Sequence, residues 1–163
     1  KGGDSSSYMH SNGATGMATL RRDGFASMST TGEGSLTTRP VKFSGKYMFV
    51  NVNCPAGELK VEILDKNNKV IDGFSADKCK AVTIDSTIQQ VEWNGASDLS
   101  SLAGQEVRFR FKLKNGDLYA FWVSPSTNGE SNGYVAGGGP GYTSNKDTEG
   151  KKAYEKASGF QKF

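Results

Sequence analysis

The segment Val107-Arg108-Phe109-Arg110-Phe111-Lys112-Leu113 alternates apolar and cationic side chains without a break. Successive side chains of an extended strand point to opposite faces. The pattern therefore places Val107, Phe109, Phe111 and Leu113 in a core, with Arg108, Arg110, Lys112 and Lys114 facing outward. A helix, with its period of about 3.6 residues, would scatter both classes around its surface. Leu59, Val61 and Ile63 repeat the alternation against Lys60, Glu62 and Leu64. A half-buried antiparallel sheet is what such a chain must build.

The same reading gives strand candidates at 17–21, 25–29, 35–38, 47–52, 59–64, 81–84, 89–93, 107–113 and 118–124. Short strands at this spacing, with turns between them, predict an all-β protein of two packed antiparallel sheets. One hairpin is expected to join 107–113 to 118–123 through Lys114-Asn115-Gly116-Asp117, and a second to join 59–64 to Val70-Ile71 through the turn at 65–69. Asp23-Gly24 is a third hairpin signal, with a strand running in from Met17 and resuming at Phe25. Residues 97–104 suit one helical turn, capped by Ser97 or Asp98 and stopped by Gly104. The polar residues 1–14 are expected to be a leader or linker, 15–145 the β-domain and 146–163 a C-terminal tail. From Thr148 on, that tail is either frayed or a short helix docking Tyr154 and Phe160.

Composition narrows the chemistry. The 21 glycines against 4 prolines suit a turn-rich β-protein. The 20 basic and 17 acidic residues balance too closely for a nucleic-acid footprint, so no nucleic-acid partner is expected. No apolar run is long enough to span a membrane as a helix, and no signal peptide is visible at Lys1. We expect an excised piece of a longer protein. Cys54 and Cys79 allow either one disulfide or two free buried thiols. His10 is the sole histidine, which removes a Ser/His or Cys/His nucleophile and a zinc centre from the expectations. No metal and no cofactor are expected. Gly137-Gly138-Gly139-Pro140-Gly141 lacks the Gly-Lys-Ser/Thr ending of a phosphate loop. The acidic turns at 65–68 and 147–149 do not have the ligand spacing of an EF-hand.

Binding chemistry is better supplied. Trp93, Trp122, Tyr119, Tyr134 and Tyr142 offer flat faces with polar tips, and Arg21, Arg22, Arg39 and Asn94 offer directed donors. Stacked rings beside fork-like donors suit sugar rings, so Trp93, Tyr134, Tyr142, Arg21 and Arg22 are the candidate ligand-binding residues. No catalytic residue is assigned. The arginines carry a second reading. Neighbours on a strand alternate faces, so one of Arg21 and Arg22 should point inward onto an acid, with Asp85 and Asp23 as candidate partners.

Several of these segments together resemble a known family. They are Ala18-Thr19-Leu20-Arg21-Arg22-Asp23-Gly24-Phe25-Ala26-Ser27-Met28, Leu36-Thr37-Thr38-Arg39-Pro40, Leu59-Lys60-Val61-Glu62-Ile63-Leu64-Asp65, Asp85-Ser86-Thr87, Val91-Glu92-Trp93, Val107-Arg108-Phe109-Arg110-Phe111 and Leu118-Tyr119-Ala120-Phe121-Trp122. The chain resembles the C-terminal β-sandwich that follows a five-bladed propeller in bacterial proteins related to glycoside hydrolase family 32. The resemblance implies a concanavalin A-like, jelly-roll type sandwich. It implies a non-catalytic accessory module of a secreted glycoside hydrolase, extracellular or periplasmic, packing against an upstream catalytic propeller and contacting poly- or oligosaccharide at a loop edge. The alternative is an independent, lectin-like carbohydrate-binding module. In the family the catalytic acids lie in the propeller, so none is carried to a position here.

Overall fold

The computed structural model describes residues 16, 18, 20–135 and 141–158. Its strands are β1 (Met28–Thr37), β2 (Tyr47–Asn53), β3 (Glu58–Leu64), β4 (Asp85–Val91) and β5 (Arg108–Ser124), followed by one helix, α1 (Lys151–Ser158). The class is all-β. The described strands form a five-stranded antiparallel sheet in the order β1-β5-β2-β4, with β3 also pairing β5.

The hairpin expected between 107–113 and 118–123 is not formed. Both arms belong to β5, a strand of 17 residues. One of its edges carries β1, from Thr37 opposite Arg110 to Met28 opposite Leu118. The other carries β2 and β3 end to end, from Tyr47 opposite Ser124 to Leu64 opposite Arg108. Lys114-Asn115-Gly116-Asp117 is thus a corner within a long strand. Asn115 takes φ 44° there, and an added Cβ on Gly116 would lie 2.6 Å from the Asn53 carbonyl oxygen. Opposite, a Cβ on Gly57 would lie 1.8 Å from the Lys114 carbonyl oxygen. The turn chemistry was legible; three neighbouring strands that pair through it were not, because such pairings are long-range. β1 slips register at the same level, between Thr30 and Glu33.

Alternation sorts the faces as expected. Val107, Phe109, Phe111 and Leu113 are buried with Leu59, Val61 and Ile63 and with Met48, Val50 and Val52 of β2. Burying each such side chain contributes roughly 1.5–3 kcal/mol. Phe74, Val82, Trp93, Leu99 and Leu102 close this core from the loops. Glu62, on the other face, is buried with Arg110 at 2.9 Å and Lys112 at 3.3 Å.

The second hairpin is present: Asp65 N–H donates to the Lys69 carbonyl at 2.8 Å and Ile71 N–H to the Ile63 carbonyl at 2.9 Å. The helical turn is a 3-10 turn, Ser100–Leu102, with Asp98 Oδ1 accepting from Ser100 N–H and Gly104 at φ 76° beyond it. Cys54 and Cys79 are free and buried, and burial pushes both thiols up from their ordinary pKa.

Candidate functional site

Alternation along β2 turns Phe49 and Asn51 away from the core, and both are fully buried by other means. Trp122 stacks on Phe49 with ring centroids 5.7 Å apart and donates its indole N–H to the Gly129 carbonyl at 3.0 Å. Lys151 of α1 lies over the same Phe49 ring at 5.2 Å. The C-terminal segment therefore lids this face of β2.

Asn51 is the polar centre beneath it, and both neighbouring strands are irregular at its level. On β4, two residues, Thr87 and Ile88, lie between Gln89 and Ser86, the partners of Val50 and Val52. On β5, Tyr119 is extra between Ala120, opposite Asn51, and Leu118, opposite Val52. Bulges of this kind re-aim side chains. The Tyr119 ring comes to lie under the Arg21 guanidinium at 4.6 Å, and Thr87, in the β4 irregularity, meets the Tyr154 hydroxyl at 2.5 Å.

The Asn51 amide holds both arginines of the 21–24 segment. Its Oδ1 accepts from Arg21 Nε at 2.7 Å and its Nδ2 donates to the Arg22 carbonyl at 2.5 Å. Arg21 also donates to Asp85 Oδ1 at 2.6 Å and to the Val52 carbonyl at 3.0 Å. Arg22 donates to Asp147 Oδ2 at 2.6 Å and to the Tyr154 hydroxyl at 3.2 Å, with Asp23 at 3.5 Å. Its guanidinium faces the rings of Tyr142 at 5.0 Å and Tyr154 at 5.9 Å. Charge-assisted bonds of this density lock a turn that water would otherwise solvate.

The turn itself is written locally. Gly24 N–H donates to the Arg21 carbonyl at 2.9 Å, and Asp23 takes φ 49°. The strand expected to run in through Leu20 and Arg21 is replaced by this turn, and β1 starts later, at Met28. Met17 and Thr19 lie outside the described residues.

Asp147 is fully buried, and its carboxylate accepts from Arg22, from Ser131 N–H and Oγ, and from the N–H groups of Glu149 and Gly150. Burial alone would raise its pKa. The bonds from Gly150, Arg22 and Ser131 outweigh that and hold the carboxyl below its ordinary value. Burial likewise opposes the charge of Arg22, but the contacts with Tyr154, Tyr142 and Asp147 keep it firmly cationic. Among the described residues the buried Tyr142 hydroxyl has no hydrogen-bond partner, and its pKa is pushed up, chiefly by burial. Beside it lies an open, largely apolar cleft of about 330 Å³, lined by Arg22, Thr87, Tyr142, Ala153, Tyr154 and Ala157.

Of the five candidate ligand residues, the structure brings Arg21, Arg22 and Tyr142 together. Tyr134 stands apart, its ring exposed, on a short bridge to Lys146. Trp93 offers no stacking face to a ligand. It is a core residue that meets Phe74 edge to face at 5.5 Å and donates its indole N–H to the Val61 carbonyl at 2.8 Å. The Asp85 partner of Arg21 is as expected; the main partner of Arg22, Asp147, was read only as part of an acidic turn. Asn51 was also missed, although a lone amide inside Tyr47-Met48-Phe49-Val50-Asn51-Val52 signals a buried polar group needing partners. Among the described residues, no group of three His, Cys, Asp or Glu side chains could hold a metal ion.

No family model, curated protein or solved structure matches this chain.

Proposed function

We propose that this chain is a non-catalytic accessory module that packs against an upstream domain of the same polypeptide, with the 21–24 turn at the packing face. The single observation carrying this reading is the inverted polarity of that turn. Its charged members point inward, Arg21 to Asn51 and Asp85 and Arg22 to Asp147. Its apolar flanks point outward, with Leu20 58%, Phe25 88% and Met28 57% exposed. A clamped turn holds the incoming chain at a fixed angle, and exposed apolar side chains beside it suit a protein neighbour.

The resemblance supplies the identity of that neighbour: a catalytic propeller in a secreted glycoside hydrolase, extracellular or periplasmic. The two-sheet, concanavalin-like arrangement is part of the same proposal. Its support is the corner at Gly57 and Gly116, since long strands pass between sheets at bulges and bends.

The test is to produce the upstream domain separately and titrate it with this chain by calorimetry. Association that weakens when Leu20, Phe25 and Met28 are changed together to Ser is expected. Absence of association, with the two parts tumbling independently in the joined polypeptide, would end the reading.

The cleft between Tyr142 and Tyr154 favours a second reading, a lectin-like module that stacks a sugar ring on tyrosine faces next to a guanidinium. A panel of polysaccharides discriminates: binding lost in Tyr154→Ala supports it, and no binding to any glycan removes it.

A further inference from the structure

The chain carries Asn-Gly at 12–13, 94–95, 115–116, 128–129 and 132–133, the first of these outside the described residues. In such a pair the glycine has no Cβ to obstruct its own amide nitrogen from closing on the preceding side-chain carbonyl carbon. We infer that Asn94 is a self-modifying site of the folded chain, converting to aspartate and isoaspartate, while the fold holds back Asn115, Asn128 and Asn132.

Asn94 and Gly95 are the two residues between Trp93 and Ala96, which an antiparallel bridge joins. Both are exposed, and Gly95 takes φ 110°. Among the described residues no hydrogen bond engages the Asn94 carboxamide or the Gly95 N–H. The space around Gly95 is open, since among the described residues an added Cβ would meet only the Lys78 side chain, at 3.9 Å. Electrophile and nucleophile are therefore adjacent, unengaged and solvated.

Each of the other three described pairs is engaged or crowded at one point at least, although Asn132 and Gly133 are themselves exposed. The Asn128 amide donates to the Glu149 carbonyl at 2.7 Å and to Glu130 at 3.3 Å, while Gly129 N–H donates to the Ser126 carbonyl at 3.3 Å. Gly133 N–H donates to Ser131 Oγ at 3.1 Å, which lowers its readiness to lose a proton. Gly116 is wedged against Asn53 and Cys54 at the strand corner.

In the reaction the Gly95 nitrogen gives its proton to solvent base and bonds to Cγ of Asn94, and the Cγ–Nδ2 bond breaks with release of ammonia. Water then opens the cyclic imide at either carbonyl, leaving aspartate or isoaspartate. One water is consumed overall and nothing is oxidised or reduced. The product carries a new carboxylate beside Lys78, whose carbonyl accepts from Asn94 N–H at 2.7 Å. The isoaspartate branch also adds a backbone atom to a two-residue turn, which loosens the bridge beside core residue Trp93.

The test is to hold the native chain in mildly alkaline buffer and follow it by peptide mapping, reading the gain of roughly 1 Da that this modification causes. Position 94 should convert several-fold faster than 115, 128 and 132 in the native protein, and the four rates should converge in denaturant. Asn94→Gln should abolish the fast phase. Conversion at 94 no faster than at the other three, or a difference that persists in denaturant, would overturn the inference.

Discussion

Arg22 and Asp147 stand 125 positions apart in sequence and meet at 2.6 Å, so one ion pair ties the 21–24 turn to the loop that leads into α1. Asp147 is fully buried and Arg22 one-fifth exposed. Removing one partner of such a pair leaves an uncompensated charge, which commonly costs about 3–5 kcal/mol. Asp147→Ala should fall near the low end, because Arg22 keeps access to water and to Tyr154. Chemical denaturation measures the loss, and a change within about 0.5 kcal/mol would show the pair to be idle.

The pH dependence of that pair has a definite sign. The Asp147 carboxyl sits below its ordinary value in the fold, so its contribution is fully present above the ordinary aspartate range, near about 3.9. It is lost as pH falls through the lower folded value. The stability difference between wild type and Asp147→Asn should therefore be constant near neutrality and shrink in acid. Parallel stability curves down to strongly acid pH would contradict this.

Asn51→Leu keeps the volume of the side chain but leaves Arg21 Nε and the Arg22 carbonyl without their partner. Stranding buried polar groups costs about 1–3 kcal/mol. Limited proteolysis offers a local readout, with cleavage near 20–27 accelerating before the sheet melts. Unchanged protection of that segment would mean that Asn51 is not its anchor.

Gly57→Ala should disable the strand corner, because the new Cβ would sit 1.8 Å from the Lys114 carbonyl oxygen. Overpacking against backbone costs typically about 1–3 kcal/mol or more. Gly32→Ala is the control, with no atom of the described residues within 4 Å of the added carbon. Thermal melts should separate the two variants clearly, and equal melting temperatures would rule out the corner as a constraint.

Cys54 and Cys79 are free, buried and raised in pKa by burial. A thiol reagent needs thiolate and access, so both should label only in denaturant. Rapid labelling of the native chain, or no labelling after unfolding without reductant, would contradict free, inert thiols.

Much of the sheet is legible in the amino-acid sequence. The alternation at 107–113 and 59–64 assigned the core face residue by residue, and the Asp65 turn and the Ser100 turn were written in short-range signals. The Lys114-Asn115-Gly116-Asp117 signal was correctly seen as a place where the chain bends and misread as a reversal. A positive-φ residue and a glycine serve a hairpin and a strand corner equally well, and only the pairing partners separate the two.

At the candidate site the local chemistry points one of Arg21 and Arg22 inward onto an acid, with Asp85 and Asp23 as candidates, and marks Tyr142 as a face for a ligand. It could not name Asn51 or Asp147 as the other anchors, nor withdraw Trp93 into the core. By itself the sequence determined the class, the core-facing side chains of the strands and the places where the chain bends, because side-chain period and backbone preference act over a few residues. Tertiary structure alone decided that the 21–24 turn is clamped across β2 to a loop 125 positions away. Around it, Arg21 over Tyr119 and Tyr154 against Thr87 sit at irregularities in β5 and β4, which come from long-range pairing and which no short stretch of sequence encodes.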